Sequence, residues 1–169
     1  MGVTLKEENV LDEWSMLIDN GAGSGGELLD DIQTRLEQSQ IPGGCRWSLE
    51  EVKSSTWVAR VKREFLIVKL EQFGDYRIYI AARDYGRHLD VCRFTTVEPG
   101  FFKKKLAEKM TGVGAALSAP KNILIEQDLK AWVSVVHHAV LDAVGALVSK
   151  MGQDPAKIRR ESKGYLSVW

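Results

Sequence analysis

Between Trp57 and Val97 the chain alternates in side-chain character and breaks at short polar turns, and this stretch constrains the fold more than any other. Trp57, Ala59 and Val61 alternate with Val58, Arg60 and Lys62, and Tyr76, Ile78, Ile80 and Ala82 alternate with Arg77, Tyr79, Ala81 and Arg83. Phe65 to Leu70 is a short apolar run of strand length, and His88 to Val97 reads as a further strand closed by Pro99-Gly100. Phe73-Gly74-Asp75 and Asp84-Tyr85-Gly86-Arg87 read as the turns between them. Runs this short with turns this tight leave no room for the crossover helices of a parallel sheet. They predict an antiparallel meander of four to five strands.

Helical patterns flank the meander. Leu28, Leu29, Ile32 and Leu36 mark an amphipathic helix over about residues 27–39, stopped by Ile41-Pro42-Gly43-Gly44. Cys45, Trp47 and Leu49 alternate as a strand does, although Ser48-Leu49-Glu50-Glu51 also fits a helix-capping pattern. Phe102, Leu106 and Met110 predict a helix over 101–110 whose other face carries Lys103, Lys104 and Lys109, followed by a Gly/Ala-rich loop to Pro120. Residues 122–126 read as a short extended approach, and Asp128 as the start of a long helix reaching about Met151. That helix carries Leu129, Trp132, Val133, Val136, Val140, Val144 and Leu147, a stripe wide enough to cover a sheet face. Strands grouped centrally with helices at both ends give an α+β class, with the long C-terminal helix packed on the sheet. A helix gripped by a curved sheet and a flat sheet with one-sided helices both satisfy the pattern.

The N-terminal end reads differently. Leu11, Trp14, Leu17 and Ile18 follow helical spacing with acids between them, predicting an acidic amphipathic helix over 5–19 that ends at Asn20-Gly21. Gly21-Ala22-Gly23-Ser24-Gly25-Gly26 has the composition of a flexible linker. The expected organisation is therefore an acidic helix (1–19), a linker (20–26), an α+β domain (27–151) and a basic tail (152–169) holding Lys157, Arg159, Arg160 and Lys163. Residues 1–31 set one base, Lys6, against eight acids, a net −7 that leaves +7 on the other 138 residues. A fused peptide tethered to the domain that binds it and a native N-terminal arm both fit this asymmetry.

A chain of 169 residues fits one domain and buries enough surface to need no metal or disulfide staple. Cys45 and Cys92 do not make a secreted disulfide framework. Acids interrupt residues 5–19, which argues against a signal peptide, and Lys6 stands where a myristoylation pattern wants Ser or Thr. Ala131 to Val148 is the most apolar stretch, but Ser134, His137, His138 and Asp142 within it argue for a buried helix over a membrane span. The expectation is a cytoplasmic protein.

Candidate chemistry is sparse. Gly21 to Gly26 has phosphate-loop spacing, but Glu27-Leu28 stands where Lys and Ser/Thr are needed. Gly112-Val113-Gly114 lacks the third glycine of a dinucleotide turn. His137 and His138 point about 100° apart on a helix, so they do not share a metal ion. No metal and no cofactor is expected. Asp142 lies four residues beyond His138, and Asp84, His88 and Asp90 sit around one turn; Arg83, Asp84, His88, His138 and Asp142 are the candidates for a polar, acid–base site. No nucleophile elbow accompanies them. Arg77, Tyr79 and Arg83 share a strand face, read as solvated, and the modest positive charge of the body disfavours nucleic acid.

The leading functional expectation is a non-catalytic interaction module that binds an amphipathic peptide or partner protein through an apolar groove with a basic rim. Leu11, Trp14, Leu17 and Ile18 are its anchor set, with homo-oligomers or arm exchange as the corollary. One alternative is a small-molecule or lipid binder with a cavity between sheet and C-terminal helix. The other is an enzyme using His138 and Asp142, or Asp84 and His88.

Overall fold

The computed structural model describes residues 9–53, 62–97, 123–164 and 168–169. Six strands form one antiparallel sheet: β1 (Val10–Ile18), β2 (Cys45–Lys53), β3 (Lys62–Leu70), β4 (Tyr76–Tyr85), β5 (His88–Val97) and β6 (Lys163–Gly164). Their order across the sheet is β2-β3-β4-β5-β1-β6. Helix α1 (Gly25–Gln38) joins β1 to β2, and helix α2 (Ile123–Lys150) follows β5 in the element order. The expected α+β class, antiparallel meander and long C-terminal helix are all present: β2 to β5 are the meander, and β1 and β6 extend the sheet to six strands. The expected helix at 101–110, the loop after it and most of the run from Trp57 to Lys62 lie outside the described residues.

The period-two pattern of the middle strands sorts their side chains onto two faces. Leu66, Val68, Leu70, Ile78, Ile80, Leu89 and Val91 meet α1 and α2 in the main core. Phe65, Ile67, Tyr79 and Ala81, with Val52, form a second buried cluster on the opposite face. Burial on both faces explains why Phe65 to Val68 reads as an unbroken apolar run. It also corrects the solvated face expected for Arg77, Tyr79 and Arg83, since Tyr79 is buried edge-on against Phe65.

Helix α2 begins at Ile123, earlier than Asp128, so residues 123–126 are helical and not extended. By length and composition it is apolar enough to cross a membrane. Its burial supplies another reason for that composition: Val133, Val136, Val140 and Val144 are fully buried in the core, and Leu141 and Val148 are buried as well. A helix covered on several sides is apolar on several sides.

The largest correction is at the N-terminal end. Residues 10–18 form a strand inside the sheet, paired with β5 from Val10↔Thr96 to Ile18↔Leu89. Asp12, Trp14 and Ile18 are buried, whereas Glu13, Ser15 and Leu17 are exposed. The helical spacing of Leu11, Trp14, Leu17 and Ile18 was coincidental, because Trp14 and Leu17 face opposite ways. What hid the alternation is Asp12, a carboxylate on the core-facing side. Residues 20–26 are likewise a tight connection and not a flexible linker. Ser24 N donates to Gly21 O, Ala22 N to Arg87 O and Gly23 N to Asp84 Oδ1. A Cβ at Gly21 would meet Leu89 Cβ at 2.8 Å, so glycine there reflects close packing. Residues 10–18 are therefore part of the sheet, and so is the Lys163–Gly164 stretch of the basic tail, which adds β6 beside β1.

Candidate functional site

The inward-facing alternation of β1 and β5 places two opposite charges in the core. Asp12 and Arg93 are both fully buried and form an ion pair through Arg93 Nη2 and Asp12 Oδ2. The register shift between Val10 and Asp12 is a bulge at Leu11, which re-aims this end of the strand. Arg93 Nη1 donates to Thr95 Oγ1 at 2.8 Å, and its Nε donates to His137 Nδ1 at 3.2 Å, reaching across from α2. Burial pushes the guanidinium below its ordinary value, and the Asp12 carboxylate opposes that shift.

The C-terminal segment closes the cluster. Ser162 Oγ donates to Asp12 Oδ1 at 2.6 Å and accepts the Val168 N–H at 2.9 Å. His137 Nε2 donates to Arg160 O at 2.6 Å, and Trp14 Nε1 donates to Arg159 O at 2.6 Å. The Trp14 and His137 rings meet edge to face, 5.9 Å between centroids. Every side chain of the cluster is thereby satisfied, which a buried polar network requires. Its chemistry is that of a lock. The serine hydroxyl addresses Asp12 and not the imidazole, and both imidazole nitrogens are occupied, so no nucleophile–base pair exists here.

Desolvation, reinforced by the positive charge of Arg93, pushes His137 down to about 4. Folding therefore keeps this imidazole neutral where the unfolded chain, with the ordinary value of 6.5, takes up a proton. The stability it contributes is complete above pH 6.5 and is lost as pH falls towards 4, by about 2–3 kcal/mol. Urea unfolding of the native chain between pH 7 and 4 is expected to show that slope, and His137→Gln to flatten it. An equal slope in both proteins would assign the acid sensitivity elsewhere.

The five polar candidates lie on two elements, Arg83, Asp84 and His88 at the β4–β5 turn and His138 and Asp142 on α2. Arg83 pairs with Asp90 at 2.8 Å, Asp84 caps the β1–α1 connection through Gly23 N, and His88 Nδ1 lies 3.0 Å from Asp19 Oδ1. His138 donates from Nε2 to Trp169 O at 2.8 Å, and Asp142 is exposed on α2. Arg83, Asp84, His88 and His138 each engage a different partner. Of the four anchors, Trp14 and Ile18 are core residues, Leu11 is half-buried and Leu17 is half exposed. The thiols are poor nucleophiles: burial pushes Cys45 up, and burial with the Asp90 charge takes Cys92 to about 11. Among the described residues no group of three metal-ligating side chains forms.

Sequence reasoning missed Asp12, Arg93 and Ser162, and passed over His137 in favour of its neighbour. The signal available was a charge at an inward position of an alternating strand: Arg93 falls between Val91 and Thr95 in that alternation. A shallow cleft of about 60 Å³ beside the lock is lined by Glu13, Trp14, Ser15, Arg159, Glu161 and Lys163. No family model matches the sequence, and comparison with curated proteins and with solved structures gives no match.

Proposed function

We propose that this chain is a non-catalytic interaction module that captures an extended peptide segment by strand addition along β1. In this reading its own residues 158–164, with Val168, occupy that groove in cis. The observation that carries the proposal is the manner in which the tail is held. Trp14 and His137 read the backbone carbonyls of Arg159 and Arg160, β6 pairs with Asp12 and Glu13, and Asp12 takes one small hydroxyl, Ser162. The side chains of Arg159, Arg160, Glu161 and Lys163 point to solvent. Main-chain recognition with one polar pocket is how strand-addition modules bind peptides. The occupant is extended, in place of the amphipathic helix that the sequence suggested. The neighbouring cleft, at about 60 Å³, is too small to be itself the pocket of a small-molecule ligand.

The test keeps the chain whole during folding. A protease site introduced at the exposed Gly152–Asp154 connection is cut after folding, and a labelled peptide of residues 158–169 is offered in exchange. Saturable exchange is expected, and Ser162→Ala in the peptide is expected to weaken it about tenfold to a hundredfold. A nicked, folded chain that takes up no labelled peptide would sink the reading.

A further inference from the structure

The two edges of the sheet are treated differently. Beyond β1 the sheet closes with the two-residue β6, where Gly164 has φ +135 and a Cβ would lie 2.3 Å from Leu11 O. At the other edge, β2 presents nine residues, Cys45–Lys53, paired with β3 in unbroken register from Cys45↔Leu70 to Lys53↔Lys62. Among the described residues no strand pairs with its far side. Among the described residues the outward-facing N–H and C=O groups of this strand, carried by every second residue of an edge without proline or bulge, are an open template for another strand.

The sequence of β2 selects what fits it. When two copies pair antiparallel about a two-fold axis, opposed residues must lie on the same face, so only every second register is allowed. The register centred on Ser48 sets Arg46 against Glu50 twice on one face. On the other face it sets Trp47 against Leu49 twice. Registers centred one residue away put Arg46 opposite Val52 or opposite Ser48, and both lose the charge pairs. Trp47 is half-buried on the core side, and Leu49 beside it is 45% exposed, an apolar side chain that this pairing would cover. Within the chain Arg46 meets Glu71, and Glu50 meets Lys69 at 3.1 Å; both are solvent-exposed pairs of the weak kind. They leave both charges accessible from the edge.

We infer that β2 is a self-association edge, and that two copies of this chain join through β2–β2 pairing centred on Ser48 to form one continuous sheet. The inference concerns the edge opposite the tail groove and does not rest on the peptide-binding reading.

Sedimentation equilibrium of the full chain is expected to give twice 18.9 kDa. Arg46→Glu and Glu50→Arg, each placing like charges together twice per dimer, are expected to weaken association about a hundredfold while the thermal melt stays cooperative. The double variant restores both pairs in reverse and is expected to recover the dimer. Ser48→Cys supplies a readout that does not depend on charge. Opposed residues at the two-fold axis lie within disulfide reach, so oxidation is expected to give a covalent dimer absent from the native chain. A monomeric native chain whose Ser48→Cys form does not cross-link would overturn the inference. So would a dimer indifferent to both single charge reversals.

Discussion

Asp12→Ala is expected to cost about 3–5 kcal/mol, the loss typical when one member of a buried ion pair is removed. The carboxylate is fully buried and takes the Arg93 guanidinium on one oxygen and the Ser162 hydroxyl on the other. Without it, Arg93 keeps Thr95 and His137 but has no counter-charge in the core. For a domain whose whole stability is about 5–15 kcal/mol, that loss brings the chain towards unfolding. Replacing the pair together, as Asp12→Leu with Arg93→Met, removes the uncompensated charge and is expected to recover most of the loss. Urea unfolding of the native chain, Asp12→Leu, Arg93→Met and the double variant measures the coupling directly. Single losses below about 1 kcal/mol would mean that water reaches the pair in solution.

Trp14→Ala is expected to be comparably severe, at about 3–5 kcal/mol, because a large core side chain is removed and the void collapses only in part. The indole is 3% exposed and holds the tail through Arg159 O. Leu17→Ala, three residues on, is expected to change stability by no more than about 0.5 kcal/mol, since Leu17 is 50% exposed. Trp14→Phe separates the two duties of the ring. It keeps most of the packing and deletes the hydrogen bond, for a loss of about 1 kcal/mol and a more easily displaced tail. An amphipathic helix over 5–19 would instead make Trp14 and Leu17 similarly sensitive, so chemical denaturation of these variants distinguishes the two conformations.

The middle of the molecule was legible because burial there follows one simple alternation. β4 covers the run from Tyr76, and β5 runs from His88 to Val97 as its sequence suggests. α2 was legible because Leu129, Trp132, Val133 and Val136 repeat at helical spacing. β1 was not, because its core-facing side carries Asp12, whose charge is compensated 81 residues away by Arg93 and 150 residues away by Ser162. No local window contains those partners. Gly21 to Gly26 misled for a related reason: its glycines permit close approach to Leu89 and Ala82, which composition alone reads as looseness. The tail has little apolar periodicity, and its strand exists only because β1 offers an edge. The candidate site was illegible for the same reason, since its parts become neighbours only after the sheet has closed.

The placement of β1 between β5 and β6 also orders events during synthesis. β1 is separated in sequence from its main partner β5 by β2, β3 and β4, and Asp12 meets a serine 150 residues further on. Until β5 is made, this aromatic-bearing strand lacks its main partner, and until β6 is made its second edge stays open. Pairings of such long sequence separation form slowly and leave nascent strands open to misassociation. Glu13 and Asp19, exposed on and just beyond that waiting strand, place negative charge where premature pairing with another nascent chain would begin.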